Sequence, residues 1–345
     1  MTPTDRPLAA VIIAAGQGKR MRSRLPKVLH EIAGRPMIDY PLGAVEAVGV
    51  ERIFVVVGNG GDLVRAHVGG RALCVDQPER LGTGHAVKMA APHLGDFHGD
   101  VLILYGDTPL LMRETLQRLI DTHRERRGAG VLLAATLRDP TGYGRIHRDA
   151  NGAVLRIIEE KDCTPEQRLI REANVGAYCF DCRRLLEGLD LLQNNNAQGE
   201  YYLTDVPEKL RALGHAVYPV QASDESEVLG VNSRAQLAEV AVYLRRRVLN
   251  RLMDEGVTIV DPATTYIDQT VAIGPDTVVE PFTILRGDTT IGERCRIGPG
   301  AELIDARVGH GVHIRHSVVH ETEIPDGARV GPFAWLRPQQ APQVT

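Results

Sequence analysis

The chain has 345 residues, of which 43% are apolar and 24% charged, and a formal net charge of −4 with histidine neutral. This is the composition of an ordinary globular protein with material for two domains. It carries no broad basic excess for nucleic acid, and no apolar run reaches the roughly 18 residues a membrane span needs.

The start, Met1 to Arg6, lacks an apolar stretch behind basic residues. The expectation is a cytoplasmic protein with neither nucleic acid nor membrane as partner. Cysteines stand at 74, 163, 179, 182 and 295, and Cys179-Phe-Asp-Cys182 is a lone C-x-x-C without the second pair a zinc site wants. They read as reduced structural thiols.

The first element is an apolar strand, Ala9–Ala15, which enters a loop holding Gly16, Gly18, Lys19, Arg20 and, after Leu25-Pro26, Lys27. Glycines let backbone N–H groups approach a phosphate, and cations neutralise it. The loop is not a P-loop, because G-x-x-x-x-G-K-[ST] is missing. Nor is it a dinucleotide fingerprint, because Met21 stands where the third glycine belongs.

Further strands are expected at Arg52–Val57, Ala72–Val75, Val101–Tyr105, Gly130–Thr136, Val154–Glu159, Gly176–Phe180 and Ala216–Pro219. Helices are expected at Met37–Val48, Gly84–Met89, Arg113–Arg127, Arg183–Leu189 and Val206–Leu213. Alternating strands and helices imply an α/β, Rossmann-like domain with a mostly parallel sheet covered on both faces. Ligands bind such sheets beyond the C-terminal strand ends, where Gly16, Gln77 and Asp107 each follow a strand.

From Ser233, a plausible N-cap, to Gly256, a plausible stop, an apolar stripe at spacings of three and four predicts one helix. The Arg245-Arg246-Arg247 run on it reads as a solvated face. After residue 257, Ile267, Ile273, Val279, Leu285, Ile291, Ile297 and Leu303 recur every six positions. The spacing resumes after breaks in register at Val308 to Ile314 and at Ile324 to Val330. A six-residue aliphatic period marks a parallel β-helix of hexapeptide repeats. The expected domains are 1–232, a linker helix 233–256, a short β-helix 257–338 and a polar tail 339–345.

Several segments fit one pattern. They are Ala14-Ala-Gly-Gln-Gly-Lys-Arg-Met21, Leu25-Pro-Lys-Val-Leu-His30, Gln77 ahead of Leu81-Gly-Thr-Gly-His-Ala86, and Leu104-Tyr-Gly-Asp107. They continue with Asp139-Pro-Thr-Gly-Tyr-Gly-Arg-Ile146, Ile158-Glu159 with Lys161, the run Asn194 to Asp205, and Gly230-Val-Asn232. In this order they resemble the bacterial bifunctional N-acetylglucosamine-1-phosphate uridylyltransferase/glucosamine-1-phosphate acetyltransferase family, from about Ala9 to Pro338.

The resemblance implies a nucleotidyltransferase domain followed by a left-handed β-helix, and UDP-N-acetylglucosamine made for peptidoglycan. UTP and a sugar 1-phosphate would be the substrates. It implies Mg²⁺ held by Asp107 and Asn232, with Arg20, Lys27 and Asp107 as the catalytic group. The nucleotide would lie along Ile13, Ala14, Ala15 and Gly16, with Lys27 on its phosphates. Gln77, Gly82 and Thr83 would take the uracil, beside Tyr105 and Gly106. The sugar site would be Gly142, Glu159, Asn174, Tyr202, Thr204 and Asn232. His85 reads as structural. Family members are typically trimers through the β-helix, so a homo-oligomer is expected.

Two departures stand out. Val175 follows Asn174 where the family pattern has threonine, and Trp335 stands where a basic residue is usual. The acetyltransferase residues of the family lie beyond Pro338, so acetyl transfer is expected to be absent, with Arg337 a relic of it. Alternatives are another sugar 1-phosphate such as glucose 1-phosphate, another nucleotide such as dTTP, or a non-catalytic binding module. The joint presence of Arg20, Lys27, Asp107 and Asn232 opposes the last of these.

Overall fold

The structure is a computed structural model that describes residues 6–58 and 60–338. The polar tail expected at 339–345 lies outside the described residues. The chain forms two compact units. One comprises the chain up to His30 together with Pro36–Gln236; the other comprises Glu31–Arg35 and the chain from Leu237 on.

The first unit is built on β1 (Leu8–Ile13), β2 (Arg52–Val57), β3 (Leu73–Asp76), β4 (Asp100–Tyr105), β5 (Gly130–Thr136), β6 (Gly144–Arg148), β7 (Val154–Ile158), β8 (Glu172–Asp181) and β9 (Val217–Gln221). They pair in the order β9-β5-β8-β4-β1-β2-β3, with β6 joined to β8 and β7 to β6. Along the seven-strand path four of the six neighbouring pairs are parallel. The long β8 runs antiparallel to β4, β5 and β6. The connections carry α1 (Asp39–Ala47), α2 (Gly61–Val68), α3 (Thr83–Ala90), α4 (Arg113–Arg126), α5 (Cys182–Asp190) and α6 (Val206–Ala212).

β1 explains why the sheet needs cover on both sides. Leu8, Ala10 and Ile12 enter one buried cluster, and Ala9, Val11 and Ile13 enter the other. A strand with no polar face must be sandwiched. The expected mostly parallel, doubly covered α/β sheet is the architecture observed.

Two elements were absent from the sequence reading, α2 and β6. β8 also begins at Glu172 rather than at Gly176. Gly176 sits inside the strand at φ +87°, where the register with β5 shifts between Asn174 and Tyr178. A glycine within a strand marks such a bulge. A β-carbon there would lie 2.4 Å from the Tyr105 ring, so only glycine lets that ring pack against β8.

The next helix, α7 (Arg234–Asp254), begins as expected. The Ser233 hydroxyl accepts from the Gln236 N–H at 3.2 Å, and Gln236 Oε1 accepts from the Asn232 N–H at 2.9 Å. This reciprocal cap fixes the backbone of Asn232.

In the second unit, short strands stack into three parallel sheets of five, five and four strands. Ile267, Leu285, Leu303 and Val319 stand in register on one face, and Ile273, Ile291, Val308 and Ile324 on another. Val279, Ile297 and Ile314 lie on the third. Three hexapeptides therefore make one coil, and these aliphatic side chains fill a buried cluster. Thr277, Thr283 and Thr289 are fully buried at the corners, and each hydroxyl donates to a backbone carbonyl. Among the described residues, no helix is long and apolar enough to cross a membrane.

Candidate active site

The C-terminal ends of β1, β3 and β4 open onto a cleft of about 550 Å³. Gly16, Gln77 and Asp107, each expected just beyond a strand, all line it. So do Ile13, Ala14, Ala15, Arg20, Lys27, Gly82, Thr83 and Tyr105. Gly106 stands apart, because its N–H is spent on the Ile13 carbonyl at 2.9 Å and continues the pairing of β1 with β4.

Lys27 is the centre of the arrangement. Its backbone follows Pro26 into a single helical turn, and Gly18 presses against it. Gly18 has φ +57°, and a β-carbon there would lie 2.8 Å from Lys27 Cβ. The Lys27 side chain is largely buried, and its ammonium donates to Asp107 Oδ2 and to Asn232 Oδ1, the latter at 3.0 Å. The Asp107 carbonyl accepts from the Val231 N–H at 2.9 Å, which brings Asn232 beside Asp107. Two oxygen donors from distant parts of the chain thus converge on one positively charged atom. A carboxylate and an amide oxygen aimed at a common point are the donor chemistry of a hard divalent cation, so these residues fit one.

Arg20 is exposed on the cleft wall and, among the described residues, has no hydrogen bond or ion pair. It is free to grip phosphate oxygens two at a time. Arg80 lies on the same wall and was missed in the sequence. Its only signal was its place between Gln77 and Gly82.

Gln77 is buried, and its amide nitrogen donates to the Gly82 carbonyl at 3.0 Å and to His85 Nδ1 at 3.0 Å. A carbonyl can only accept, so the nitrogen must face Gly82. With both protons spent, the amide offers the cleft only its oxygen. The Gly82 carbonyl sets this orientation, and His85, read as structural, takes the second amide proton. Gly82 has φ +104°, and its β-carbon would lie 2.5 Å from the Tyr201 carbonyl. Thr83 Oγ1 accepts from the Leu203 N–H at 3.1 Å and ties the start of α3 to the segment before α6.

The sugar candidates do not line this cleft. Apart from Asn232, which meets Lys27, they form separate pairs. Asn174 Nδ2 donates to Tyr178 Oη at 2.8 Å. Asn174 Oδ1 is buried and has no partner among the described residues. Thr204 Oγ1 donates to Glu159 Oε1 at 2.8 Å. Burial pushes the Glu159 carboxyl above its ordinary range, against the pull of that hydrogen bond. Tyr202 Oη accepts from Gln198 at 2.7 Å, and burial lifts its phenol to about 12. The Gly142 N–H donates to Glu160 Oε2 at 3.3 Å, an oxygen also held by the buried Arg145 at 2.6 Å. Gln198 and Glu200 line the cleft as well, so the loop between α5 and α6 borders both the cleft and the sugar candidates.

Residues 10–187 match the MobA-like NTP transferase domain family, and residues 270–304 match the bacterial transferase hexapeptide repeat. The second match accords with the hexapeptide β-helix expected from the six-residue period and with the left hand that the resemblance implies. The chain is 52% identical over 332 residues to the bifunctional protein GlmU of Pelotomaculum thermopropionicum, covering 96% of this chain and 73% of that protein. It is 49% identical to the protein of that name from Heliobacterium modesticaldum, covering 95% and 72%. With the Brevibacillus brevis protein the identity is 48% over 329 residues, covering 95% and 71%. A nucleotidyltransferase domain followed by hexapeptide coils, at this identity over nearly the whole sequence, places the chain in the bifunctional GlmU family as a nucleotidyltransferase.

Proposed function

We propose that the cleft transfers a uridylyl group from UTP to N-acetylglucosamine 1-phosphate, giving UDP-N-acetylglucosamine and pyrophosphate, with Mg²⁺ as the divalent ion. The observation that carries this reading is the meeting of Lys27, Asp107 and Asn232 at the C-terminal strand ends. A phosphate oxygen of the sugar forms the new bond to the α-phosphorus, and the bond to the bridging oxygen of the β-phosphate breaks in line. No protein nucleophile or proton transfer is required. Positioning and charge neutralisation carry the catalysis. Bound by Asp107 and Asn232, a divalent ion would neutralise negative charge on both reactants.

The remaining work falls to the chain's own side chains. Arg20 and Lys27 hold the triphosphate and stabilise charge gathering on the leaving pyrophosphate. Gln77 Oε1 accepts from uracil N3–H. Cytosine has no proton at that position, so the pair of acceptors would repel. Asn174 Oδ1 is an acceptor awaiting a donor, which the N-acetyl N–H or a sugar hydroxyl supplies. The Tyr178 hydroxyl accepts from the Asn174 amide nitrogen and so holds that side chain in place.

A second reading rests on Val175. It is buried beside Asn174 and removes a hydroxyl expected there, which favours a wider choice of sugar, glucose 1-phosphate included. Initial rates of pyrophosphate release over a grid of nucleoside triphosphates and sugar 1-phosphates separate the two readings. Fastest turnover with UTP and N-acetylglucosamine 1-phosphate supports the first. Equal turnover with glucose 1-phosphate supports the second. No release with any pair overturns both.

The absence of acetyl transfer expected from the sequence is not supported. The relatives are named bifunctional, and the hexapeptide coil is compatible with an acetyltransferase. The same coil supports self-association, which we take to be trimeric.

A further inference from the structure

A cavity of about 650 Å³ lies at the opposite end of the sheet from the transferase cleft. It surrounds the N-terminal ends of β1 and β4, marked by Arg6 and Asp100. The cleft lies at the far ends of those strands, at Ile13 and Tyr105. A six-residue strand separates the two by about 20 Å. Nothing in the proposed transfer uses this second cavity.

Its lining holds five arginines against two aspartates. Both aspartates are committed within the wall. Asp100 is fully buried and meets Arg6 at 3.2 Å, His123 at 3.3 Å and Arg124 at 3.1 Å. Asp181 Oδ2 meets Arg6 at 2.6 Å, and its other oxygen caps α5 through the Arg184 N–H. The acidic charge is therefore neutralised by the inner ring of cations. Arg126, Arg127 and His215 remain on the lining with no acidic partner among the described residues. The Arg126 guanidinium lies over the Tyr218 ring at 5.1 Å, so one cation is already held in place. His123, 4% exposed, stands in the cavity wall, where its Nε2 meets Asp100 at 3.3 Å and keeps that carboxylate occupied.

We propose that this cavity binds a phosphate-bearing small molecule carrying at least two negative charges, held by Arg126 and Arg127. Surplus positive charge selects an anion. Arg side chains favour phosphate oxygens through paired N–H donors.

The test uses the full chain carrying Lys27→Ala and Arg20→Ala, so that the transferase cleft no longer binds phosphate tightly. Pyrophosphate and glucose 6-phosphate are titrated separately by calorimetry, distinguishing an inorganic from an organic source of the group. Saturable one-to-one binding of either probe is expected, weakened at least tenfold by Arg126→Ser with Arg127→Ser in the same background. Both arginines are exposed, and an unchanged circular dichroism melt shows that the fold survives their removal. In the otherwise unaltered protein, addition of the bound probe shifts the His123 ring resonances, which a distant surface site would not do. No saturable binding, or equal affinity with and without the two arginines, overturns the proposal.

Discussion

The ammonium of Lys27 lies 3.0 Å from the amide oxygen of Asn232, across 205 residues of sequence, and the same atom bonds the Asp107 carboxylate. One nitrogen thus joins the phosphate loop after β1, the end of β4 and the start of α7. Lys27 and a divalent cation draw on the same oxygens, which gives a two-sided prediction. Lys27→Ala lowers kcat at least about 100-fold, the scale of a lost transition-state charge contact. The same change tightens Mg²⁺ binding to the free protein, because a competing positive charge has gone. Steady-state kinetics and Mg²⁺ calorimetry on one preparation check both halves.

Base choice follows from the Gln77–His85 pair. His85→Ala removes the acceptor that holds one amide proton of Gln77, at 3.0 Å. The Gly82 carbonyl still holds the amide nitrogen at 3.0 Å, but the freed proton now offers a donor beside the acceptor oxygen. The ratio of kcat/KM for UTP over CTP falls about tenfold, while the UTP value drops less, in line with about 1–1.5 kcal/mol for one hydrogen bond. Competition assays with both nucleotides read this directly.

Tyr178 is a positioning residue for the sugar group. Tyr178→Phe leaves Asn174 Nδ2 without its partner. The KM for the sugar phosphate rises about fivefold and stability falls by about 1–2 kcal/mol, the cost of unpaired buried groups. The KM for UTP moves less. A merely structural role would move both substrates together.

Asp205, next to Thr204, has its carboxyl pushed up to about 6, chiefly by burial, against the pull of Lys209. The folded state then holds this proton more tightly than the unfolded chain. Stability is therefore lost as pH rises from the ordinary value of 3.8 through about 6, and the loss is complete above that. Asp205→Asn raises the melting temperature at pH 8 relative to the unaltered chain, and the gain disappears below pH 4. Melts at the two pH values check the sign.

Periodicity made the fold readable where one local pattern decided the element. The all-apolar β1 announced a doubly covered sheet, and the six-residue step from Ile267 to Leu303 announced the coils. Reading failed where distant partners decided. Arg145 in β6 is 1% exposed, which a cation allows only because Glu160 meets it at 2.6 Å. Nothing near Arg145 in sequence announces that pairing, so β6 looked like loop. Gly176 looked like the start of a strand but is a bulge that admits the Tyr105 ring. In the site, the loop glycines and cations were legible because phosphate chemistry restricts residue types. Tyr178 was not, because a buried tyrosine in a strand looks like core. The orientation of Gln77 was also hidden, since it depends on the Gly82 carbonyl and on His85, the third residue of α3.

The most direct measurement is pyrophosphate release as a function of Mg²⁺ concentration in Asp107→Ala and Asn232→Ala. The account predicts at least about 100-fold lower turnover for Asp107→Ala, and for Asn232→Ala a half-saturating Mg²⁺ concentration raised at least fivefold, with the fold intact. Turnover and Mg²⁺ dependence matching the unaltered chain in both variants would contradict it.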